Sequence, residues 1–365
     1  MRLRDRRGRP GIFILRAVCN LVAMTQRLTR LLRQGLACAV LASLPLPAVH
    51  AQSGQQSFDA YLQTVAARAQ REGVSQGTIA QVLTGLTPNP RVIALDGGQP
   101  GRAGTPPPTA PYIATHVGAQ RIQRGRERYR QVARIVPGIE SRYGVPGPIM
   151  LAIFGHETNY GSYTGNFDLA RSLATLAWEG RRRALFEGEL VALLKMVDRG
   201  VPQHRLKGSW AGAFGNPQFL PSVYLRLAAD GDGDGNADIW NSDADTLASI
   251  ANYFRDAGWR TGEPWGVRAS VPAGLADQYR TKLAAPSCDR VHARHSQWRT
   301  VGEWRRLGVS PLSPIGDSVQ ASLFQPDGPG TPGYLLTGNY RVILQYNCSN
   351  YYALSVGLLA DEIGR

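Results

Sequence analysis

Pro146-Gly147-Pro148-Ile149-Met150-Leu151-Ala152-Ile153-Phe154-Gly155-His156-Glu157-Thr158-Asn159-Tyr160-Gly161 is the stretch on which the fold turns. Two prolines open it, and proline suits a first helical turn, where its missing N–H costs no hydrogen bond. At about 100° per residue, Ile149 falls near about 0°, Ile153 near about 40°, Met150 near about 100° and Phe154 near about 140°. Glu157 falls at about 80°, in the middle of that apolar arc. An ionised carboxylate on a core-facing stripe is disfavoured. Its pKa should rise toward the range that a general acid needs near neutral pH. Thr158 to Gly161 then supply polar, aromatic and flexible residues at the helix end, a suitable cleft wall. On wheel position alone, a structural glutamate that caps a neighbouring helix or pairs with an arginine fits as well.

Working outward, residues 111–259 are mainly helical in pattern. A basic amphipathic region spans 113–141, and further helices are expected at 168–178, 184–198, 219–229 and 243–257. Upstream, 53–86 also reads as helical, with Phe58, Tyr61, Leu62 and Val65 in one stripe and Ile79, Val82 and Leu83 in a second. Between them 87–112 is rich in Pro and Gly and reads as a loop or linker wrapped on the surface. Residues 264–340 carry more Pro and Gly with short alternating runs, a small β-rich insert. The apolar run in 340–362 closes the chain as one helix. The expected class is mainly α (α+β). Its organisation is 1–51 targeting segment, 52–110 N-terminal helical region and linker, 111–263 helical core, 264–339 β-rich insert and 340–365 closing helix.

The chain has 365 residues, 43% apolar and 19% charged, enough for a soluble globular core. Its formal net charge is +14. Residues 1–51 hold nine arginines and one acid and so carry +8 of it, leaving +6 on the rest. A moderately basic body favours anionic partners such as acidic glycans. Nucleic acid is not expected, because no basic run interleaved with aromatics and no zinc-finger or RNA-recognition signature occurs. Arg27 to Arg33 precede the apolar run Gly35–Leu44, and Val49-His50-Ala51 offers small residues at cleavage-site spacing, the pattern of an export signal. The apolar run is too short to span a bilayer stably. Met24 is an alternative start, and a retained membrane anchor is the alternative to cleavage. A periplasmic monomer is expected, with no lipid anchor. After cleavage only Cys288 and Cys348 remain, either as one disulfide or as two separate buried thiols.

The run Tyr143-Gly-Val-Pro146 followed by Gly155-His-Glu-Thr-Asn-Tyr-Gly161 resembles the catalytic helix of lysozyme-like lytic transglycosylases. Lys207-Gly-Ser-Trp-Ala-Gly-Ala213 and Gly215-Asn-Pro-Gln-Phe-Leu-Pro-Ser222 are similar to a second signature, that of the lytic murein transglycosylase B family, glycoside hydrolase family 103. Asp230-Gly-Asp-Gly-Asp-Gly235, Ser249-Ile-Ala-Asn-Tyr-Phe254 and Tyr346-Asn-Cys-Ser-Asn-Tyr-Tyr-Ala353 continue the likeness across 111–365. The resemblance implies a lysozyme-like helical core with a small β insert. It also implies non-hydrolytic cleavage of the β-1,4 bond between N-acetylmuramic acid and N-acetylglucosamine in peptidoglycan glycan strands, leaving 1,6-anhydro ends. Glu157 would be the single acid/base, helped by the substrate's own acetamido group and needing no cofactor. Ser209 and Gln218 would contact the glycan, and Tyr253, Asn347 and Tyr352 would wall the muramyl ring. Asp168 and Glu179 are left to surface or pairing roles. Arg181, Arg182 and Arg183 are either paired donors to substrate carboxylates or a solvated basic face. A hydrolytic muramidase and a non-catalytic peptidoglycan-binding protein are the competing readings.

Asp230-x-Asp232-x-Asp234-Gly235-Asn236 is the front half of a calcium loop, with acids at positions 1, 3 and 5, the turn glycine at 6 and a carbonyl at 7. Asp238 stands at position 9. Asn241 stands where the bidentate glutamate is usual, and the resemblance moves the closing role to Asp245. Structural Ca²⁺, Na⁺ and a merely solvated acidic loop all remain open on this pattern.

Overall fold

The computed structural model describes residues 56–99, 107–280 and 288–365; the targeting segment read at 1–51 lies outside the described residues. The first helices are α1 (Phe58–Arg71), capped by Ser57, and α2 (Gln76–Leu83), capped by Ser75. The stretch 87–112, expected as loop, instead holds α3 (Pro90–Gly97) and the start of α4 (Thr109–His116). The reason is local. Asn89 accepts the N–H groups of Arg91 and Val92 and Pro90 fills the first turn, so this proline starts a helix rather than breaking one.

The chain continues through α5 (Ala119–Gln131), α6 (Val136–Tyr143) and α7 (Gly147–Thr158) to a short strand β1 (Phe167–Asp168). Then come α8 (Leu169–Glu179), α9 (Arg183–Asp198), β2 (Lys207–Gly208), α10 (Pro221–Leu227) and α11 (Asp243–Asp256). β1 and β2 pair antiparallel, Phe167 against Gly208. α1 to α3 share one buried cluster with α8 and α9, in which Tyr61, Leu62 and Val65 meet Leu173, Phe186, Leu190 and Leu194.

A second cluster surrounds α7. Every residue from Ile149 to Gly155 is buried, and α5, α6, α11 and the last helix pack around it. The helix therefore has no polar face, and the apolar arc drawn on the wheel is only part of a helix that is apolar all round, as a central core helix is. Glu140 accepts the Gly147 N–H at 2.5 Å and so satisfies one of the unpaired donors at its start.

The insert is a five-stranded antiparallel sheet in the order β4-β6-β7-β3-β5. Its elements are β3 (Gly266–Ser270), α12 (Asp289–His292), β4 (Arg299–Thr300), α13 (Val301–Arg306), β5 (Ser310–Pro311), β6 (Gln320–Phe324) and β7 (Gly333–Leu336). α13 covers one face with the fully buried Trp304, whose indole N–H reaches the Ala321 carbonyl at 3.0 Å. β7 leads into α14 (Gly338–Tyr346). The closing helix is broken: Asn347 is extended, Ser349 caps a new start, and α15 (Asn350–Ile363) follows. A disulfide from Cys288 to Cys348 ties this break to the start of α12, with Cα atoms 5.8 Å apart at a sequence separation of 60. Closing a loop of that length contributes about 4 kcal/mol in the chain-entropy account. The whole is mainly helical with small sheets.

α15 lies against the sheet through a glycine. A Cβ on Gly357 would stand 2.4 Å from ring atoms of Trp265, itself fixed by a hydrogen bond to Asp361. Gly357→Ala is expected to lower unfolding stability by about 1–3 kcal/mol, despite alanine's better helix propensity. Urea denaturation of the purified protein measures this directly.

Candidate active site

α7 stops where the backbone changes hand. Asn159, Tyr160 and Gly161 have φ of 51°, 58° and 82°, three successive left-handed residues, two of them not glycine. The turn is held by Gly161 N–H on Thr158 Oγ1 (3.0 Å) and by the Tyr160 hydroxyl on the Arg121 carbonyl (3.2 Å). Thr158 Oγ1 also lies 3.2 Å from the Asn216 carbonyl, which seats the 207–219 loop on the end of α7. A Cβ on Gly165 would stand 2.2 Å from the Gly208 carbonyl, so only glycine lets these two backbones approach.

Gln218 (φ 53°) points its amide inward. Its Nε2 donates to Gly215 O (2.9 Å) and Thr164 O (3.0 Å). Its Oε1 is buried and accepts no hydrogen bond among the described residues. Ser209, also buried, braces its own turn. Its N–H reaches Ala213 O (2.7 Å) and its Oγ accepts from Ala213 N (3.0 Å), so its hydroxyl hydrogen stays available as a donor.

The opposite wall comes from the break between α14 and α15. Tyr346 donates to Pro217 O at 2.6 Å, bringing this wall onto the 207–219 loop. Its ring packs edge-on to Tyr253 with centroids 4.7 Å apart, and Phe219 lies against both. Tyr253 donates to Gln345 O (2.9 Å), and burial pushes its phenol up to about 12. Asn347 is buried at the break. Tyr352, one turn into α15, donates to Glu157 Oε1 at 2.5 Å. The structure thus sets Tyr352 on Glu157, packs Tyr253 against Tyr346 on the same wall, and carries Ser209 and Gln218 on one loop, which Tyr346 joins through Pro217. Tyr346 belongs to the same wall and was not assigned from sequence. Its signal was its place at the head of the Tyr-Asn-Cys-Ser run.

Glu157 is half-buried as a residue, but its carboxyl is stripped of solvent, and burial pushes it up to about 7. The Tyr352 hydrogen bond opposes that rise because it favours the ionised form. Among the described residues no charged group contributes to the shift. At neutral pH the group is therefore balanced between giving and taking a proton. Tyr352 and Tyr346 both stay phenolic, held well above their usual range by burial first and then by Glu157. Other acids are engaged in structure. Asp168 caps α8 through Arg171 N (2.8 Å), and Glu179 accepts Arg181 N (3.0 Å). Arg181 and Arg182 converge on the buried Asp96 of α3, Arg182 at 2.6 Å, so these two guanidinium groups hold α3. Arg183 lies over the Tyr61 ring.

The acidic loop joins α10 to α11. Carboxylate oxygens of Asp230, Asp232 and Asp245 lie within 4.8 Å of one another. Asp230 accepts from Gly233 N (2.5 Å) and Gly235 N (2.9 Å), Asp234 from Asn236 N (2.7 Å), and the buried Asp245 from Gly231 N (2.8 Å) and Asp238 N (2.7 Å). Asp238 is paired with Arg205 at 3.0 Å and bonded by Asn241, so it faces away from the cluster's needs. Burial first, and then Asp232 and Asp230, raise the Asp245 carboxyl above its usual range.

A desolvated carboxyl and a phenol that donates to it, on a frame of helices with a small sheet, define a fold shared with lysozyme-like lytic transglycosylases. The chain belongs to the transglycosylase SLT domain family, which it matches over residues 57–361. It is 30% identical over 303 residues to the membrane-bound lytic murein transglycosylase B of Escherichia coli K12, covering 80% of this chain and 79% of that protein. The crystal structure of SltB3 from Pseudomonas aeruginosa in complex with NAG-anhNAM-pentapeptide is similar at TM-score 0.76 and 38% identity, over 85% of this chain and 80% of that one. The Escherichia coli lytic transglycosylase Slt35 in complex with calcium is similar at TM-score 0.68 and 29% identity, over 83% and 92%. Among the described residues no helix is long and apolar enough to cross a membrane.

Proposed function

We propose that this protein is a peptidoglycan lytic transglycosylase that cleaves the N-acetylmuramic acid–β-1,4–N-acetylglucosamine bond with Glu157 as its sole acid/base. The observation that carries the reading is the desolvated Glu157 carboxyl, held by Tyr352, raised to about 7 and, among the described residues, shifted by no other carboxylate. A hydrolytic glycosidase of the usual kind needs two carboxyl groups. A transglycosylase needs one. Protonated Glu157 gives its proton to the glycosidic oxygen as the C1–O bond breaks. The acetamido oxygen of the same muramyl residue bonds to C1, forming an oxazolinium ion. Glu157, now ionised and stabilised by the Tyr352 hydroxyl, takes the proton of the C6 hydroxyl as that oxygen attacks C1. The acetamido bond to C1 then breaks. The product is the 1,6-anhydro sugar, no water is consumed, and Glu157 ends protonated as it began. Gln218 and Ser209 line the glycan side, and Tyr253, Tyr346, Asn347 and Tyr352 hold the muramyl ring. The basic-apolar segment at 27–44 and the Cys288–Cys348 disulfide support export to the periplasm, where we expect a monomer.

Three results follow. Glu157→Gln, incubated with purified murein, should lose about 1,000-fold or more in turnover while still binding it. Mass spectrometry of the wild-type digest should find muramyl ends lighter by one water than the hydrolysed sugar. Reducing ends would instead mark a muramidase, and an active Glu157→Gln would remove the assignment. The acid must be protonated to start the reaction, so kcat/KM should fall about tenfold per pH unit above about 7, to which burial raises the Glu157 carboxyl. A profile flat to pH 9 would contradict it.

We further infer that Asp230, Asp232, Asp234, the Asn236 carbonyl and Asp245 hold a structural Ca²⁺. The donor set is all hard oxygen, and three of its carboxylates already converge. Bound there, the cation would neutralise the mutual repulsion of these acids and brace the α10–α11 connection, without activating water. Calorimetry should find Tm several degrees higher in saturating Ca²⁺ than in chelator, about 3 kcal/mol of stabilisation at a hundredfold excess over Kd. Asp230→Ala should abolish the difference. Equal Tm values in wild type would refute the site.

A further inference from the structure

One half-buried titratable group stands beside the catalytic acid and takes no part in the proton path. His156 precedes Glu157 on α7, and its two ring nitrogens are both used. Nδ1 lies 2.8 Å from the Ala152 carbonyl, and Nε2 lies 2.7 Å from Ser355 Oγ on α15. A carbonyl only accepts, so Nδ1 carries the proton, and a neutral ring leaves Nε2 to accept from the Ser355 hydroxyl. Ser355 Oγ also lies 2.9 Å from the carbonyl of Tyr352, on the turn that presents the phenol to Glu157; its single hydrogen is shared between these two acceptors, so the serine serves Nε2 and the Tyr352 carbonyl in turn and not both at once. The imidazole packs edge-on to the Tyr352 ring with centroids 5.4 Å apart.

We propose that His156 is a positioning residue, a neutral imidazole strut between α7 and α15 that sets the Tyr352 hydroxyl on Glu157. The inference rests on the reading of Glu157 as the acid/base. Its geometry is economical. Adjacent residues of one helix point in different directions. Glu157 faces the cleft, while His156 reaches sideways to the helix that supplies the cleft's phenol. A sub-ångström drift of α15 relative to α7 would lengthen the 2.5 Å contact between Tyr352 and Glu157. The groups around the imidazole suit a neutral strut. Arg121 of α5 and His116 of α4 approach it from the far side, and Tyr352 and Ser355 from α15. Burial first, and then Arg121, push it down to about 3, with the Ala152 carbonyl opposing. It therefore does not change charge in the working range. The groups that face Glu157 are Tyr352 and Tyr346.

An apolar residue would fill the same space, so packing alone does not distinguish a strut from a satisfied core histidine. The pH profile does. The Tyr352 bond favours ionised Glu157, so loosening it should raise the carboxyl's pKa and move the alkaline limb of kcat/KM to higher pH. The test is murein turnover across pH by His156→Val, Ser355→Ala, Tyr352→Phe and the His156→Val/Tyr352→Phe double variant. Expected for His156→Val is a kcat lower by about tenfold to a hundredfold, with the limb shifted upward. KM should stay within about twofold. Ser355→Ala should move both in the same direction by less. The double variant should match Tyr352→Phe alone, because both changes remove one interaction. The proposal is overturned if His156→Val and Ser355→Ala keep the wild-type kcat and limb, or if the double variant's losses multiply. Should His156→Val not fold, Ser355→Ala, which removes only one hydroxyl, decides the matter. Glu157→Gln run alongside separates the two claims: an active Glu157→Gln defeats the acid/base assignment, whereas an inert one beside an unaffected His156→Val defeats the strut alone.

Discussion

The constraint on which the rest depends is the removal of one carboxyl group from water. An ionised glutamate among apolar neighbours is costly unless a cation or several donors compensate it. Here a single phenol does so, at 2.5 Å, and the group settles near neutrality in its proton affinity. Much of the architecture maintains that condition. α7 is packed on every side so that its last turn cannot leave the core. Three left-handed residues then turn the chain away at once. Ion pairing is kept elsewhere: Arg181 and Arg182 are spent on Asp96, and Arg205 on Asp238.

The second constraint is that the cleft's two walls are far apart in sequence and must be held in register. The 207–219 loop is fixed to α7 through Thr158 and Asn216, and to the α14–α15 break through Tyr346 and Pro217. The break is in turn anchored by the disulfide to Cys288. The β insert therefore does more than interrupt the helical core. It carries one end of the covalent tie that holds the segment from Tyr346 to Tyr352 in place.

Much of this was legible in the sequence, for reasons that differ by element. The core helix could be read because Pro146 and Pro148 mark its start and its residues are apolar. Its wheel arc was only a partial view, since the far side of α7 is equally buried. Glu157 stood out as an acid in a greasy run, and the quoted motifs supplied its neighbours in order. Local chemistry misled at Asn89-Pro90, where a cap and a first-turn proline lay inside a stretch taken as linker. At Asn347 the signal was present but passed over: Asn347-Cys-Ser-Asn350 is a polar interruption with a capping serine, set between two apolar runs read as one helix. Long-range partners were beyond reach. Nothing near Arg181 or Arg182 pointed to Asp96, and nothing near His156 pointed to Ser355, because each pairing is made by tertiary packing alone. Tyr346 lay within a quoted motif, yet only its contact with Pro217 reveals that it joins the two walls.

The account stands or falls on the proton affinity of one side chain, and that affinity can be read without any substrate. Isotope-edited infrared difference spectroscopy of the intact protein, with Glu157→Gln as the subtraction reference, reports the protonated and ionised carboxyl bands of Glu157 directly. A titration midpoint close to 7 is the result the account predicts. A midpoint in the ordinary range for glutamate, about 4.3, would mean that the carboxyl is solvated and would contradict it.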